Sequence, residues 1–303
     1  MLGYIFIVLI IIALFILIIY ANKLCKIVIY PKKKSYEDGY ENQIKKLNLE
    51  DFYNNLEKEH ITLKSDYGYD IKGIFIPNSN SKKCIILCHG ITVNTNYSVK
   101  YIKPFYNRGF SVFMYDHRNH GLSGGTYTSM GYFEKYDLKT CANFLFNKLG
   151  PDINLGVLGE SMGAATVLQY CAIDNRVSFC IEDCGYSDVF ELFKHRLKED
   201  YKINFLPLLF IADIIMKVRY KWSFKSASPL TYIKNIDIPI LFIHGDMDDY
   251  VPTYMVYDLF NSKTTGFKEL YIAKNAKHAE ALTSNPDKYD EIIGNFLKKI
   301  DLI

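Results

Sequence analysis

The chain has 303 residues, with 36 Lys and Arg against 33 Asp and Glu, 49% hydrophobic and 23% charged residues, and a formal net charge of +3. A composition near half apolar and a quarter charged is that of ordinary globular proteins and excludes general disorder, collagen-like repetition and a multispanning membrane protein. An excess of +3 over this length is too weak to argue for nucleic acid, which needs clustered basic residues rather than a slight excess, so no nucleic-acid partner is expected.

Residues 1–21 contain no charged side chain, and a helix of about 20 apolar residues spans the hydrocarbon core of a bilayer. The segment reads as a transmembrane helix. A cleaved signal peptide is disfavoured, because no basic n-region precedes the apolar run, the run exceeds a usual h-region, and no small-x-small site follows. Cys25, preceded by Asn22, Lys23 and Leu24, is in a poor context for lipid attachment. Lys23, Lys26, Lys32, Lys33 and Lys34 all follow the span and none precedes it. By the positive-inside rule, the chain is then a single-pass protein of the cell membrane with its body in the cytoplasm. Seven scattered cysteines, an odd number without framework spacing, read as reduced thiols. The pairs Cys84/Cys88 and Cys180/Cys184 fall in apolar strand-like runs with no second pair at zinc-finger spacing, so they read as packing thiols, not metal ligands.

Residues 22–59 read as a polar linker or lead-in helix, with helical character around residues 44–56. Over residues 60–303 short β-rich runs (ITLKS, IKGIFI, KCIILCHG, FSVFMYD, INLGVLGES, VSFCIED, IPILFIHGD, KELYIA) alternate, from the third onward, with helical or loop stretches. Residues 137–149 place Leu138, Cys141, Ala142, Leu145 and Leu149 on one apolar helix face. Alternation of this kind predicts an α/β fold, a mostly parallel central sheet with helices on both faces. The first two runs, joined by a turn at residues 67–70, predict an antiparallel hairpin on its edge. Residues 78–83 read as a second hairpin loop.

The most informative stretch is LGVLGESMGAAT, a β-rich run ending in Gly159-Glu160-Ser161-Met162-Gly163 and passing into a helix-compatible segment. G-x-S-x-G between strand and helix is the nucleophile elbow, in which Gly159 and Gly163 admit a tight turn and Ser161 projects at a helix N-terminus. A serine hydroxyl needs a base to take its proton and an acid to orient that base. With the elbow's usual order of Ser, then Asp or Glu, then His, His278 is selected as the base, because no other His lies after residue 250. For the acid, Asp246, Asp248 and Asp249 all follow the apolar run IPILFIHGD. The elbow also supplies the Met162 N–H as one donor for an oxyanion.

The elbow, His278 and the acidic loop together resemble the α/β-hydrolase superfamily, from about Ile61 to the C-terminus. That family's loop H-G-x-x-D-x-x-V-P is met by His244, Gly245, Asp248, Val251 and Pro252, so the resemblance implies Asp248 as the acid. KCIILCHGITVN resembles the family's HG loop, which implies the Ile91 N–H as second oxyanion donor and His89 as a structural residue. YDHRNHGLSGG resembles the D-x-R-x-H-G-x-S turn, which makes Asp116, Arg118, His120 and Ser123 braces. Residues 185–232 sit where the family inserts a helical cap. The apolar run at residues 205–216, interrupted by Pro207 and Asp213, is too short to span a bilayer; it could line an acyl pocket, lie in the membrane interface, or pack on the core.

The membrane-anchored form with GESMG resembles bacterial single-pass hydrolases of the serine-esterase and serine-peptidase-like type. The resemblance implies hydrolysis of carboxylic esters through an acyl-enzyme, on a small acyl-ester or lipid-like substrate. Thioesterase and aminopeptidase or amidase chemistry use the same triad. A dehalogenase would need a carboxylate where Ser161 stands, and a non-catalytic membrane-tethered binding protein would not need the complete Ser161, Asp248, His278 set. No metal motif or dinucleotide-type Gly-rich loop is present, and no cofactor is expected.

Overall fold

The structure, a computed structural model, describes residues 1–79 and 81–303. Its strands are β1 (Glu59–Lys64), β2 (Asp70–Ile76), β3 (Lys83–Cys88), β4 (Ser111–Tyr115), β5 (Asn154–Glu160), β6 (Val177–Asp183), β7 (Ile240–Gly245) and β8 (Lys268–Ala273). They form one sheet in the order β1-β2-β4-β3-β5-β6-β7-β8. β2 pairs antiparallel with both β1 and β4, and all other neighbours are parallel. β4 and β7 are buried along their whole length, since helices cover both faces of the sheet there, whereas β1 at the edge alternates half-buried and exposed positions. Residues 78–83 do not close a hairpin, because β4 lies between β2 and β3 and pairs with both. Asn80 of that loop lies outside the described residues.

Helices α1 (Leu2–Ile29), α2 (Tyr36–Gly39) and α3 (Glu50–Asn54) precede the sheet, and α4 (Ile102–Tyr106), α5 (Glu134–Leu149) and α6 (Met162–Cys171) follow β3, β4 and β5. Helices α7 (Val189–Tyr201), α8 (Leu206–Ile215) and α9 (Phe224–Ala227) fill the connection from β6 to β7. Beyond β7 come α10 (Tyr254–Ser262) and, after β8, α11 (Ala281–Ser284) and α12 (Pro286–Lys299). Alternation along β3 splits the core in two. Cys84, Ile86 and Cys88 face Leu138 and Leu145 of α5, Val167 of α6 and Leu259 of α10. Ile85 and Leu87 face Ile102 and Phe105 of α4 and Ile293 and Phe296 of α12. All seven cysteines are free and buried.

The N-terminal helix is long and apolar enough to cross a membrane, and its residues through Tyr20 are largely exposed. It does not give way to a linker at residue 22. The polar residues there end the apolar composition but not the helix, which runs to Ile29 and stops ahead of Pro31, where the ring fixes φ and removes a donor. Ala21, Cys25 and Ile29 are buried. The Ile29 carbonyl accepts hydrogen bonds from the Thr128 N–H at 3.0 Å and from Asn119 Nδ2 at 3.3 Å. Residues 36–54 also pack on the body: Tyr36 donates to Asp116, and Ile44 is fully buried.

Candidate active site

The sheet's parallel strands carry their connecting loops to one carboxyl edge, and the chemistry gathers there. Ser161 stands between β5 and α6 with φ +57° and ψ −115°, a conformation that costs a non-glycine residue about 1–3 kcal/mol. The turn is tight enough to demand glycine on both sides. A Cβ on Gly159 would lie 2.1 Å from the Gly163 carbonyl oxygen, and one on Gly163 would lie 2.1 Å from that of Cys88. The Ser161 N–H donates to the Asp183 carbonyl at 2.9 Å, which ties the turn to the end of β6.

His278, in the loop after β8, places Nε2 2.9 Å from Ser161 Oγ and Nδ1 2.7 Å from Asp248 Oδ2. Asp248 lies in the loop after β7, where its Oδ1 accepts from the N–H groups of Tyr250 at 3.0 Å and Val251 at 2.9 Å. Burial by itself would raise the Asp248 carboxyl, but hydrogen bonds and charge from His244 and His278 outweigh it and hold the group well below the usual carboxylate range. His244 Nε2 is 3.1 Å from Asp248 Oδ2 and 2.9 Å from the Val251 carbonyl oxygen. Of the three acids the loop offers, Asp246 and Asp249 are exposed. The Asp249 carbonyl instead accepts from His195 at 2.8 Å and Arg196 at 3.1 Å, both on α7. Tyr250 packs its ring 5.0 Å from that of His278.

Met162 is the first residue of α6, so its N–H has no intrahelical acceptor. A Cβ on Gly90 would be 3.4 Å from that of Ser161, which sets the loop after β3 against the serine. Ile91, Ser161 and Met162 line one cavity. The other residues of this region fold the loop. His89 Nε2 accepts from the His117 N–H at 3.0 Å, and His120 Nε2 from the Thr92 N–H at 3.1 Å. Asp116 accepts from the N–H groups of Thr95 at 3.0 Å and Leu122 at 2.8 Å, and Ser123 Oγ donates to the Asp116 carbonyl at 2.7 Å. The Arg118 guanidinium stacks over Tyr127 at 4.7 Å and Phe133 at 4.8 Å.

Sequence reasoning missed Lys100. Its ammonium, 5% exposed, sits 2.5 Å from Glu160 Oε2 and donates to the Ala279 carbonyl at 2.9 Å. It therefore joins the residue before Ser161 to the residue after His278. Burial would lower this ammonium, yet the charge and hydrogen bond of Glu160 raise it. Tyr101 lies 2.7 Å from Glu160 Oε2 and 3.0 Å from Asp183 Oδ2, and Tyr289 donates to the same Asp183 oxygen at 2.9 Å. Burial, and then the charge of Glu160, push Asp183 up to about 6. Among the described residues one His, Cys and carboxylate cluster, Cys184 with Asp248 and His278, is compact enough for a cation. His278 and Asp248 already bond each other there, and burial keeps the Cys184 thiol protonated, so no metal is assigned.

Two substitutions test this scaffold. Lys100→Met leaves the buried Glu160 carboxylate unpaired and is expected to lower unfolding stability by about 3–5 kcal/mol, with part recovered when Glu160→Gln is added. A denaturant midpoint equal to the parent's contradicts the bracing role. The second concerns acid stability. His117 is fully buried, both its ring nitrogens lack partners among the described residues, and burial holds its pKa well below the usual value. The unfolded chain takes up a proton near pH 6.5 that the native chain refuses, so stability is full above that pH and falls as pH drops, by about 1.4 kcal/mol per pH unit for each such group. His89, lowered to about 4 by burial, and His120, lowered to about 3, act in the same direction. His117→Phe should flatten the decline in chemical stability between pH 6 and 4.5 by about one histidine's share; an unchanged slope rules this out.

Residues 79–180 match the family model described as serine aminopeptidase, S33. A Bacillus subtilis (strain 168) protein named uncharacterized protein YqkD is 37% identical over 277 residues, covering 90% of this chain and 90% of that one. Protein bem46 of Schizosaccharomyces pombe is 23% identical over 257 residues, 82% of this chain and 79% of that one. Among solved structures, the Pyrococcus furiosus esterase Pf2001 aligns with a TM-score of 0.68 at 24% identity, over 84% of this chain and 95% of that chain. With its eight-stranded sheet and its serine turn between β5 and α6, the chain belongs to the α/β-hydrolase superfamily.

Proposed function

We propose that this chain is a membrane-anchored serine hydrolase that cleaves carboxylic esters, with Ser161 as nucleophile, His278 as base and Asp248 as orienting acid. The observation that carries the reading is the hydrogen-bonded chain from Ser161 Oγ through both nitrogens of His278 to Asp248. Ser161 Oγ attacks the ester carbonyl as its proton passes to His278 Nε2, and the N–H groups of Ile91 and Met162 receive the developing oxyanion. Asp248, held as a carboxylate by its depressed pKa, stabilises the imidazolium that forms. Collapse breaks the bond to the alcohol oxygen, which leaves with the proton from His278. Water, deprotonated by the same imidazole, then attacks the acyl-enzyme and frees the acid and Ser161.

Ester cleavage is favoured over aminopeptidase chemistry, which the family model's description brings into question, by the apolar wall that Ile27, Val28, Met130, Leu192 and Phe193 give the cavity beside Ser161, which suits an acyl chain. The carboxylate next to the serine in sequence, Glu160, is paired with Lys100. In this reading α1 is the anchor, and the lysines at positions 23, 26, 32, 33 and 34 support a body on the cytoplasmic side by the positive-inside rule.

The test uses the full chain in detergent micelles and a fluorophosphonate probe, which labels activated serines. Labelling of the wild type is expected to vanish in Ser161→Ala and His278→Ala. Labelling that persists in Ser161→Ala removes the assignment. Turnover of p-nitrophenyl esters is expected to exceed that of matched thioesters and aminoacyl amides, and a preference for the amides transfers the reading to peptidase chemistry.

A further inference from the structure

Ser161 borders two cavities, of which the larger has a polar rim. On one side a cavity of about 560 Å3 is bordered by Asn42, Gln43, Lys46 and Glu280. On the other a cavity of about 270 Å3 is bordered by Ile27, Val28 and Pro31 from the end of α1, together with Met130, Leu192 and Phe193. The N-terminal helix is therefore a wall of the site as well as an anchor.

The apolar side continues along the same helix. A cavity of about 140 Å3 shares Ile27, Val28 and Phe193 with the first and adds Leu24, Leu209 and Met216. A third, of about 630 Å3, lies between residues 10–20 of α1 and Ile203, Phe205 and Leu208 at the start of α8. Residues 10–28 of a helix rise about 27 Å; the first two cavities share lining residues, and the third lies about one turn further along α1, between Tyr20 and Leu24, in the stretch that is long and apolar enough to cross a membrane.

α8 lies beside this path, with Cys25 Sγ donating to the Ala212 carbonyl at 3.6 Å. Its outer face and that of the π-helical turn Met216–Tyr220 that continues it present Leu206, Phe210, Ile214 and Val218, which are 37, 58, 60 and 67% exposed. Spacing by four puts them in one stripe along the helix. The exposed apolar end at Ile203 and Phe205 adjoins the apolar half of α1, while Lys217, Arg219 and Lys221 cluster at the other end, where Arg219 reaches Asn22 at 3.4 Å. Apolar residues level with the span and cations level with its polar end is the distribution of a helix lying in a lipid interface.

We propose that α8 lies in the bilayer surface beside α1 and that the acyl chain of a membrane-resident ester lipid reaches Ser161 along α1, with its polar alcohol in the cavity bordered by Asn42, Gln43 and Lys46. This inference rests on the esterase reading and names its substrate class. The occupant of the α8 stripe is the bilayer, because Ile203, Phe205 and Leu208 at the start of α8 border a groove with residues 10–20 of the apolar α1.

The test reconstitutes the full chain in phosphatidylcholine vesicles and compares 1-oleoylglycerol in the bilayer with p-nitrophenyl butyrate in solution. Val28→Trp, which fills the path, is expected to lower the ratio of kcat/KM for the oleoyl ester to that for the butyrate at least tenfold. If Val28→Trp loses both activities, Ile27→Trp, at an exposed position on the same wall, carries the comparison. A ratio within twofold of the wild type overturns the path. A wild type that cleaves butyrate and ignores the oleoyl ester overturns the substrate class while the esterase reading stands; one that cleaves neither removes both. Independently of turnover, Phe210→Trp fluorescence should be quenched by dibrominated phosphatidylcholine in the vesicles, and its absence places α8 outside the bilayer.

Discussion

The backbone passes from β5 into α6 with no room for a side chain on either flank of Ser161, and the rest of the site is arranged around that close approach. The Cys88 carbonyl oxygen occupies the space a Cβ on Gly163 would need. β3, β5 and α6 are thus locked at contact distance, and the helix start, its unpaired N–H groups and the hydroxyl of Ser161 are fixed in one place. The left-handed φ of Ser161 is strain that the packing of two glycines and the bond to Asp183 maintains. His278 and Asp248 come from loops after neighbouring strands, β8 and β7, and need only modest reach to meet the serine. Lys100 completes the frame from beneath, because a buried ammonium satisfied by Glu160 and the Ala279 carbonyl holds the elbow and the histidine loop in register.

The parallel strands were legible because strands covered on both faces are unbroken apolar runs, and β4 and β7 are of that kind. Strand order was not. The six residues at 78–83 look like a hairpin loop locally, and only long-range pairing shows that β4 inserts between β2 and β3. Ser161 and His278 could be found from spacing and elimination. Asp248 could be separated from Asp246 and Asp249 only through the likeness of its loop to a known pattern, since three acids in four residues give no internal distinction. Lys100 was out of reach. A lysine among polar residues reads as solvated, and its burial depends on a glutamate 60 positions along the chain. The end of α1 was misplaced for a related reason, as Lys23 and Lys26 end an apolar segment by composition while their backbone remains helical to Ile29.

These features make the end of α1 part of the wall of the site. Ile27, Val28 and Pro31 border the same cavity as Ser161, so the helix that is apolar enough for a bilayer also shapes the space in which an acyl group would lie. Asn42, Gln43 and Lys46 give the larger cavity beside Ser161 a polar rim.

The most direct measurement is a double-mutant cycle on ester turnover with the full chain, comparing Ser161→Ala, His278→Ala and the two together. If Ser161 and His278 act as one unit, either substitution removes the function of both, and kcat for all three variants falls to the same residual level. A double variant whose loss equals the product of the two single losses would mean that the residues act independently, and would contradict the triad.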